Sequence, residues 1–145
     1  MPRLEIVPGG EKHACSLTAM TRHFFPYTGF TAKTVRSRLA NADNEYYVAL
    51  REGHCVGFVD LEYSGESAKI LGLGVLQEER GKGIGKKLLD HALGKAREKA
   101  RRIHILVAED NGSARRLYED KGFENLGCLD RLINGKTVLL MARDL

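Results

Sequence analysis

One segment of the sequence combines glycines and cations in a pattern suited to binding phosphate: Arg80-Gly81-Lys82-Gly83-Ile84-Gly85-Lys86. Glycines let backbone N–H groups approach an oxyanion closely, and the first turn of a helix leaves unpaired N–H donors with a partial positive charge. Three alternate glycines beside three cations therefore predict a phosphate-binding loop at the start of a helix. Glycines that merely permit a tight turn are the alternative interpretation.

The spacing of this loop excludes two common nucleotide-binding motifs. A Walker A motif that ends at Gly85-Lys86 requires glycine in place of Arg80 and serine or threonine in place of Lys87. A Rossmann fingerprint that starts at Gly81 requires glycine in place of Lys86, and it normally comes early in a chain. The sequence therefore favours neither a P-loop triphosphatase nor a dinucleotide-binding domain.

The segments on either side of the loop predict a strand, a helix and a second strand. Lys69 to Leu76 is an apolar run with residues compatible with a strand, and Ile103 to Val107 is another. Between them, apolar residues recur at helical spacing from Ile84 to Ala100 and form one stripe opposite the lysines. This βαβ unit positions the loop at the junction of its first strand and its helix.

The remaining patterns complete a mixed sheet covered by helices, in the order β-α-α-β-β-β-α-β-α-β-β. Strands are predicted at Leu4–Val7, Glu45–Arg51, His54–Tyr63, Leu129–Ile133 and Thr137–Ala142, and helices at about Glu11–Phe25, Ala32–Ala42 and Ser113–Lys121. Asn134-Gly135 predicts a type I′ turn between the last two strands, and Gly122 suits the position after a helix. We expect a single domain spanning residues 1–145.

Composition and charge limit the possible functions. The 145 residues are 43% hydrophobic and 29% charged, as expected for a globular domain. Nine basic and two acidic residues between Arg80 and Arg102 give this segment 9 − 2 = +7, against +4 for the whole chain. The excess predicts an anionic ligand there, with a solvated lysine-rich helix face as the alternative.

The cysteines and histidines indicate neither a disulfide framework nor a metal site. Cys15, Cys55 and Cys128 are widely spaced and odd in number, which predicts reduced thiols that fill the core. The five histidines include no pair at helical metal-ligand spacing. No apolar run approaches the roughly 18 residues of a membrane span, and the N-terminus lacks a signal-peptide pattern, so we expect a cytoplasmic protein with no membrane partner.

Two motifs together resemble the GCN5-related N-acetyltransferase (GNAT) family. Arg80-Gly81-Lys82-Gly83-Ile84-Gly85 matches the R/Q-x-x-G-x-G/A signature of that family. The segment from Asn111 to Phe123 is similar to its Asn-x-x-Ala-x-x-Leu-Tyr-x-x-x-Gly-Phe block and follows at the usual distance. The resemblance implies the GNAT fold, a central, mostly antiparallel sheet of about six to seven strands with helices on both faces, and an acetyl-CoA-dependent N-acetyltransferase.

The resemblance also implies a set of acetyl-CoA contacts and a reaction without a metal. The residues that correspond to the pyrophosphate loop are Arg80, Gly81, Lys82, Gly83, Gly85 and Lys86. Leu73 to Val75 correspond to the strand whose backbone contacts pantetheine, with the Val75 N–H as oxyanion donor. Asn111 corresponds to a residue that holds CoA or an ordered water, unless it only caps a helix. Direct attack of a neutral amine on the thioester is then the expected chemistry.

The resemblance assigns an acid but leaves the base open. Tyr118 corresponds to the family's tyrosine and is the candidate general acid for the leaving thiolate, with packing on the sheet as the alternative. The positions that hold a glutamate base in characterised subfamilies are here Leu106 and, near the other strand, Lys69-Ile70. Glu62 at a strand end could act through water, or it could simply face solvent; catalysis without a base is equally open.

The acceptor and the partners are the least defined part of the prediction. Phe24, Phe25, Tyr27 and Phe30 either line an acceptor pocket or anchor the connection between two helices. The acceptor is a small amine or a peptide or protein amine. The rival functions are an acyl-CoA-binding sensor with little turnover and a basic nucleic-acid-binding module, the latter disfavoured because no aromatic residue lies between Tyr63 and Tyr118. The apolar strand Val138 to Met141 could pair two copies into a homodimer.

Overall fold

The computed structural model describes residues 3–145 and arranges them as one seven-stranded sheet with α-helices on both faces. The strands are β1 (Leu4–Pro8), β2 (Asn44–Arg51), β3 (His54–Ser64), β4 (Ser67–Val75), β5 (Arg102–Ala108), β6 (Glu124–Cys128) and β7 (Val138–Asp144). The α-helices are α1 (Ala14–Phe24), α2 (Ala32–Ala40), α3 (Ile84–Ala96) and α4 (Gly112–Asp120). The element order agrees with the one predicted from the sequence.

The strand order across the sheet is β1-β2-β3-β4-β5-β7-β6. Neighbouring strands run antiparallel except β4 and β5, which are parallel and joined through α3. A parallel pair needs such a crossover, because a tight turn can join only antiparallel strands. The prediction of a mixed, mostly antiparallel sheet with helices on both faces is therefore confirmed.

Two apolar layers hold the helices against the sheet. On one face, α3 buries Leu88, Leu89 and Leu93 against the strands, together with Tyr118 of α4. On the other face, α1 and α2 bury apolar residues such as Leu17 and Val35. Alternation along the strands supplies both layers, since successive side chains point to opposite faces.

The β4–β5 pair is short and then opens. The two strands pair over Ser67–Ile70 and Arg102–Ile105, after which β4 continues to Val75 and β5 to Ala108 with no registered partner between them. A register shift between β3 and β4 lies at the same level, where Asp60 pairs with Gly72 and Leu61 pairs with Ile70. The bulge and the divergence leave a gap in the middle of the sheet.

The last hairpin differs from its prediction. The strand before the final turn is β6 at Glu124–Cys128, not Leu129–Ile133, although Asn134 and Gly135 do form a turn with positive φ, closed by a bridge from Ile133 to Lys136. Every residue of β6 is exposed, so it carries no alternating apolar pattern to signal a strand. Leu132 is 64% exposed, which shows that the more apolar segment projects from the sheet instead of joining it.

The structure also bears on the expectations about the cysteines, the dimer strand and membrane-spanning helices. Cys15 and Cys128 are exposed and do not fill the core, whereas Cys55 is half-buried and packs against the apolar layer under α1 and α2. All three are free thiols. The homodimer expected through Val138 to Met141 cannot use that strand, because β7 is paired with β5 on one side and β6 on the other. No helix within residues 3–145 has the length and apolar character needed to cross a bilayer.

Candidate active site

A cavity of about 530 Å³ extends from the glycine loop into the gap between β4 and β5. It is lined by Phe24, Phe25, Leu73, Gly74, Val75, Glu79, Arg80, Gly81, Gly83, Ile84, Gly85, Lys86, Asn111, Ser113, Ala114, Leu117 and Tyr118. Its walls therefore come from the C-terminal end of α1, the second half of β4, the glycine loop with the first turn of α3, and the first turns of α4 with the preceding Asn111. Most of the residues singled out from the sequence meet here, and Lys82 and Glu62 do not.

The glycine loop presents its backbone to the cavity. Gly81 and Gly83 both have a φ of 80°, a conformation that residues with a side chain rarely adopt. Gly83 is the N-cap of α3 and has no side chain to accept from the first turn, which contains no acidic residue. The N–H groups at the start of α3 are thus left for a ligand, and the helix dipole makes an anion the favoured one.

The backbone of β4 faces the gap at two alternate residues. Leu76 donates its N–H to the carbonyl of Val56 at 2.9 Å, which makes Leu76 and Val56 a hydrogen-bonded antiparallel pair. Because these pairs alternate along a ladder, Val75 and Leu73 direct their N–H and C=O groups away from β3, toward the β5 side. No strand occupies that side beyond Ile70, so both residues offer polar backbone groups to the cavity.

The three loop cations have different surroundings. Arg80 lines the cavity, where its Nε donates to the Val75 carbonyl at 3.1 Å and its guanidinium carbon lies 5.8 Å from the centroid of the Phe24 ring. Lys86 also lines the cavity. Lys82 lies outside the lining, and its Nζ pairs with Glu79 at 3.2 Å. Lys82 therefore contributes charge near the loop without contacting the cavity.

Glu79 lines the cavity, although the sequence interpretation did not include it. Its carboxylate accepts from Arg51 Nε at 2.8 Å and from Lys82 Nζ at 3.2 Å. The hydrogen bond from Arg51 and the contacts with Lys82 lower the pKa of Glu79, so it is ionised and largely neutralised. The sequence signal for Glu79 was its position directly before Arg80, the first residue of the glycine loop.

Tyr118 occupies the inner part of α4. The residue is only 4% exposed, and its ring packs edge-to-face on Phe123 with the centroids 5.5 Å apart. Burial raises the pKa of the Tyr118 phenol above its usual value of about 10. Among the described residues none hydrogen-bonds to its hydroxyl, so a protonated phenol is available beside the cavity.

Asn111 both caps α4 and lines the cavity. Its Oδ1 accepts from the backbone N–H of Ala114 at 3.3 Å and from Ser113 Oγ at 3.4 Å. The side chain is therefore committed to the N-terminus of the helix, as its alternative interpretation suggested. Because Asn111 also lines the cavity, it is accessible to a ligand there.

Two phenylalanines at the end of α1 close the cavity on the other sheet face. A Cβ added at Gly74 would lie 2.5 Å from Phe24 Cδ2, and one added at Gly72 would lie 2.7 Å from Phe25 Cε2. Both rings therefore rest directly on glycine backbone. Both interpretations of this aromatic segment apply to Phe24 and Phe25, which anchor the helix connection and also line the cavity. Tyr27 and Phe30 do not line it.

The residues considered for a general base lie outside the cavity lining. Glu62, with its side chain 42% exposed, accepts from Arg38 Nη1 at 3.2 Å. Lys69 pairs in register with Glu62 on β3 and with His104 on β5, and Leu106 is half-buried. Within residues 3–145 no cluster of histidine, cysteine or acidic side chains has the geometry to hold a metal ion.

Comparison with protein families matches residues 16–123 to the model described as "Acetyltransferase (GNAT) family". A "5-NmdU N-acetyltransferase" of Pseudomonas phage PaMx11 is 34% identical over 83 residues, which are 56% of this chain and 58% of the phage protein. The N-alpha-acetyltransferase RimI of Mycobacterium tuberculosis is 30% identical over 112 residues, 73% of this chain and 70% of that protein. The chain thus spans somewhat over half of the phage enzyme's length.

A solved structure supports the same fold. The crystal structure of Arabidopsis thaliana NAA60 in complex with acetyl-CoA superposes with a TM-score of 0.86. The match covers 99% of both chains at 22% sequence identity. At this identity the likeness concerns the fold, including the order of strands and the helices on both faces.

Proposed function

The chain belongs to the acetyltransferase (GNAT) family, and on that premise we propose that its cavity binds acetyl-CoA and an amine. The protein is an acetyl-CoA-dependent N-acetyltransferase. The amine nitrogen attacks the thioester carbonyl carbon and forms a C–N bond. Collapse of the tetrahedral intermediate breaks the C–S bond and releases CoA, with no covalent enzyme intermediate.

One observation carries this proposal: a single cavity connects an anion-binding loop, an open strand edge and a buried phenol. The loop N–H groups of Gly81 to Lys86 suit the pyrophosphate. The backbone groups of Leu73 and the N–H of Val75, which face no neighbouring strand, suit the pantetheine amides, in the manner of a strand added to a sheet edge. A long ligand with an anionic end and an amide-containing arm fits this order of groups.

The reacting carbonyl meets polar groups at the inner end of the same path. The Val75 N–H is the proposed oxyanion donor, a contribution of about 3 kcal/mol when the donor is preorganised. Tyr118 is the proposed general acid, since burial keeps its phenol protonated at neutral pH, and it donates its proton to the leaving thiolate. Arg80 and Lys86 add positive charge at the pyrophosphate end, and Lys82 acts only at longer range.

Proton removal from the acceptor is assigned to water. Glu62 is bound by Arg38 and lies outside the cavity lining, so we give it at most an indirect role through a water chain. The position of the expected strand glutamate holds Leu106 instead. This same absence supports the second candidate, an acyl-CoA sensor that binds its ligand with little turnover.

The proposed acceptor is an amine on a peptide or protein. The mycobacterial relative is named an N-alpha-acetyltransferase, which is a reaction on a chain terminus. Tyr27, 53% exposed beside Phe25, offers an aromatic surface next to the cavity for residues that follow the reacting amine. If two copies associate, we expect an edge strand, β1 or β6, at the interface. We expect the protein to act in the cytoplasm.

Titration calorimetry with acetyl-CoA, followed by thiol release with small amines and N-terminal peptides, tests the proposal. We expect binding, and release with at least one acceptor class. Gly83→Val should remove binding, whereas Gly94→Ala, at an open site on α3, should retain it. Binding without release on any acceptor would favour the sensor, and absence of binding would refute the assignment of the cavity.

A further inference from the structure

One guanidinium on α2 joins β2, β3 and the connection between α1 and α2. The Arg38 side chain is 12% exposed, and its Nη2 donates to Asp60 Oδ1 at 2.7 Å, its Nη1 to Glu62 Oε1 at 3.2 Å and its Nε to the Tyr46 hydroxyl at 3.2 Å. These contacts use all three guanidinium nitrogens, in the fixed geometry that distinguishes arginine from lysine. Arg38 thereby fastens α2 to β2 and β3.

The same guanidinium stacks on the aromatic segment between α1 and α2. Its central carbon lies 5.3 Å from the Phe30 ring centroid and 5.9 Å from that of Tyr46. Phe30 follows the segment Phe24 to Thr28, whose first two residues line the cavity. Arg38 therefore contacts the far end of the chain segment whose first residues form part of the cavity wall.

A second route connects Arg38 to that wall through the sheet. Asp60 is 3% exposed and pairs in register with Gly72, the glycine on which the Phe25 ring rests. Burial raises the pKa of Asp60 to about 6, against the opposing effects of Arg38 and Tyr46. A buried carboxylate in this position requires its cation, so loss of Arg38 disturbs the bulge beneath Phe25.

We propose that Arg38 is a positioning residue for the acceptor amine: it fixes Phe25 and the segment 25–30 against β3 and β4, so that the acceptor is oriented toward the thioester. Phe24, which contacts Arg80, is the last residue of α1 and rests on Gly74 instead. The inference rests on the proposed N-acetyltransferase function. Arg38 does not line the cavity, and the pyrophosphate loop is formed by other elements. Its loss should therefore impair the acceptor and leave acetyl-CoA binding nearly unchanged.

The test compares variants that separate position from stability. Arg38→Met alone leaves Asp60 buried and unpaired and can unfold the protein, so the informative variant is Arg38→Met with Asp60→Asn, which removes both charges. Arg38→Lys keeps the charge and loses the directional contacts. Arg36→Met is the matched control, since Arg36 lies on the same helix in an exposed ion pair with Glu11.

We expect the double variant to raise the acceptor KM at least tenfold while the acetyl-CoA Kd changes less than twofold, with Arg38→Lys intermediate and Arg36→Met like wild type. An unchanged acceptor KM, or an equal loss of acetyl-CoA affinity, overturns the inference. Hydrogen exchange of residues 25–30, measured on the same proteins, should be faster in the double variant. Unchanged exchange overturns the inference whatever the activity, whereas a wild-type protein without thiol release overturns the proposed function alone.

Discussion

Replacing Gly74 with alanine tests whether Phe24 forms a wall of the cavity by resting on β4. The added Cβ would lie 2.5 Å from Phe24 Cδ2 and 2.8 Å from Cε2. Carbon atoms in contact prefer about 3.5–4.0 Å, so the ring must move by about 1 Å or more. Overpacking of this kind costs about 1–3 kcal/mol, which lowers the Tm of a domain this size by about 2–12 °C.

The displacement should also weaken acetyl-CoA binding. Arg80 is held at the cavity by the Phe24 ring and the Val75 carbonyl. When the ring moves, Arg80 loses one of these contacts and must be ordered again on binding, at a cost of about 0.5–1.5 kcal/mol. We therefore expect the acetyl-CoA Kd to rise by about two- to tenfold.

Calorimetry and thermal unfolding of Gly74→Ala measure both effects. Adding Phe24→Val to Gly74→Ala removes the ring atoms that clash. The double variant should therefore lose less unfolding free energy than the two single variants lose in total, and a double-mutant cycle measures this difference. If Gly74→Ala keeps the wild-type Tm and the wild-type Kd, Phe24 does not rest on Gly74 and the described wall is wrong.

Three further changes follow from the same geometry. Tyr118→Phe should lower kcat about 10²- to 10⁴-fold with little change in acetyl-CoA Kd, and equal losses in kcat and affinity would exclude Tyr118 as the general acid. In a pH–rate profile of the wild type, kcat should not fall through deprotonation of this phenol below about pH 10, because its pKa is raised. Gly83→Val places a β-branched residue at a φ of 80° and a side chain in the loop, so calorimetry should detect no acetyl-CoA binding, and an unchanged Kd would exclude the loop from the site. Gly94→Ala, with open space around its Cβ, should stabilise α3 by about 0.5–1 kcal/mol in thermal unfolding without altering activity, and a lower Tm would contradict the described helix.

The central part of the fold was predictable because its signals are local. The helical stripe from Ile84 follows directly on the glycine loop, and the short apolar runs on either side favour strands. Glu52 and Gly53 form a tight turn with positive φ between β2 and β3, and Gly122 has the φ of 85° expected after α4. Residues in this region were therefore assigned to the correct elements, and most of those predicted for the cavity lie together.

The parts that the sequence did not reveal depend on contacts between distant elements. β6 is exposed throughout and contains Gly127 with a φ of 116°, so no hydrophobic period marks it. Phe24 packs on Gly74 and Phe25 packs on Gly72 because the C-terminal end of α1 crosses β4 there. The residue spacing within either segment does not predict this crossing. Arg38 resembles an ordinary helix-surface residue in the sequence, and its burial depends on two acids that are 22 and 24 residues away.

The four-residue β4–β5 pairing divides the sheet into two sections, β1 to β4 and β5 to β7. Adjacent strands from β1 to β4 pair over five to eight residues and β5 pairs with β7 over seven, whereas among the described strands the two sections meet only along that short parallel ladder. Such a boundary favours two cooperative units that open separately in native-state hydrogen exchange. A ligand lying in the gap would contact β4 in the first section and α4, which directly follows β5, so bound acetyl-CoA should bring the opening free energies of the two sections closer together.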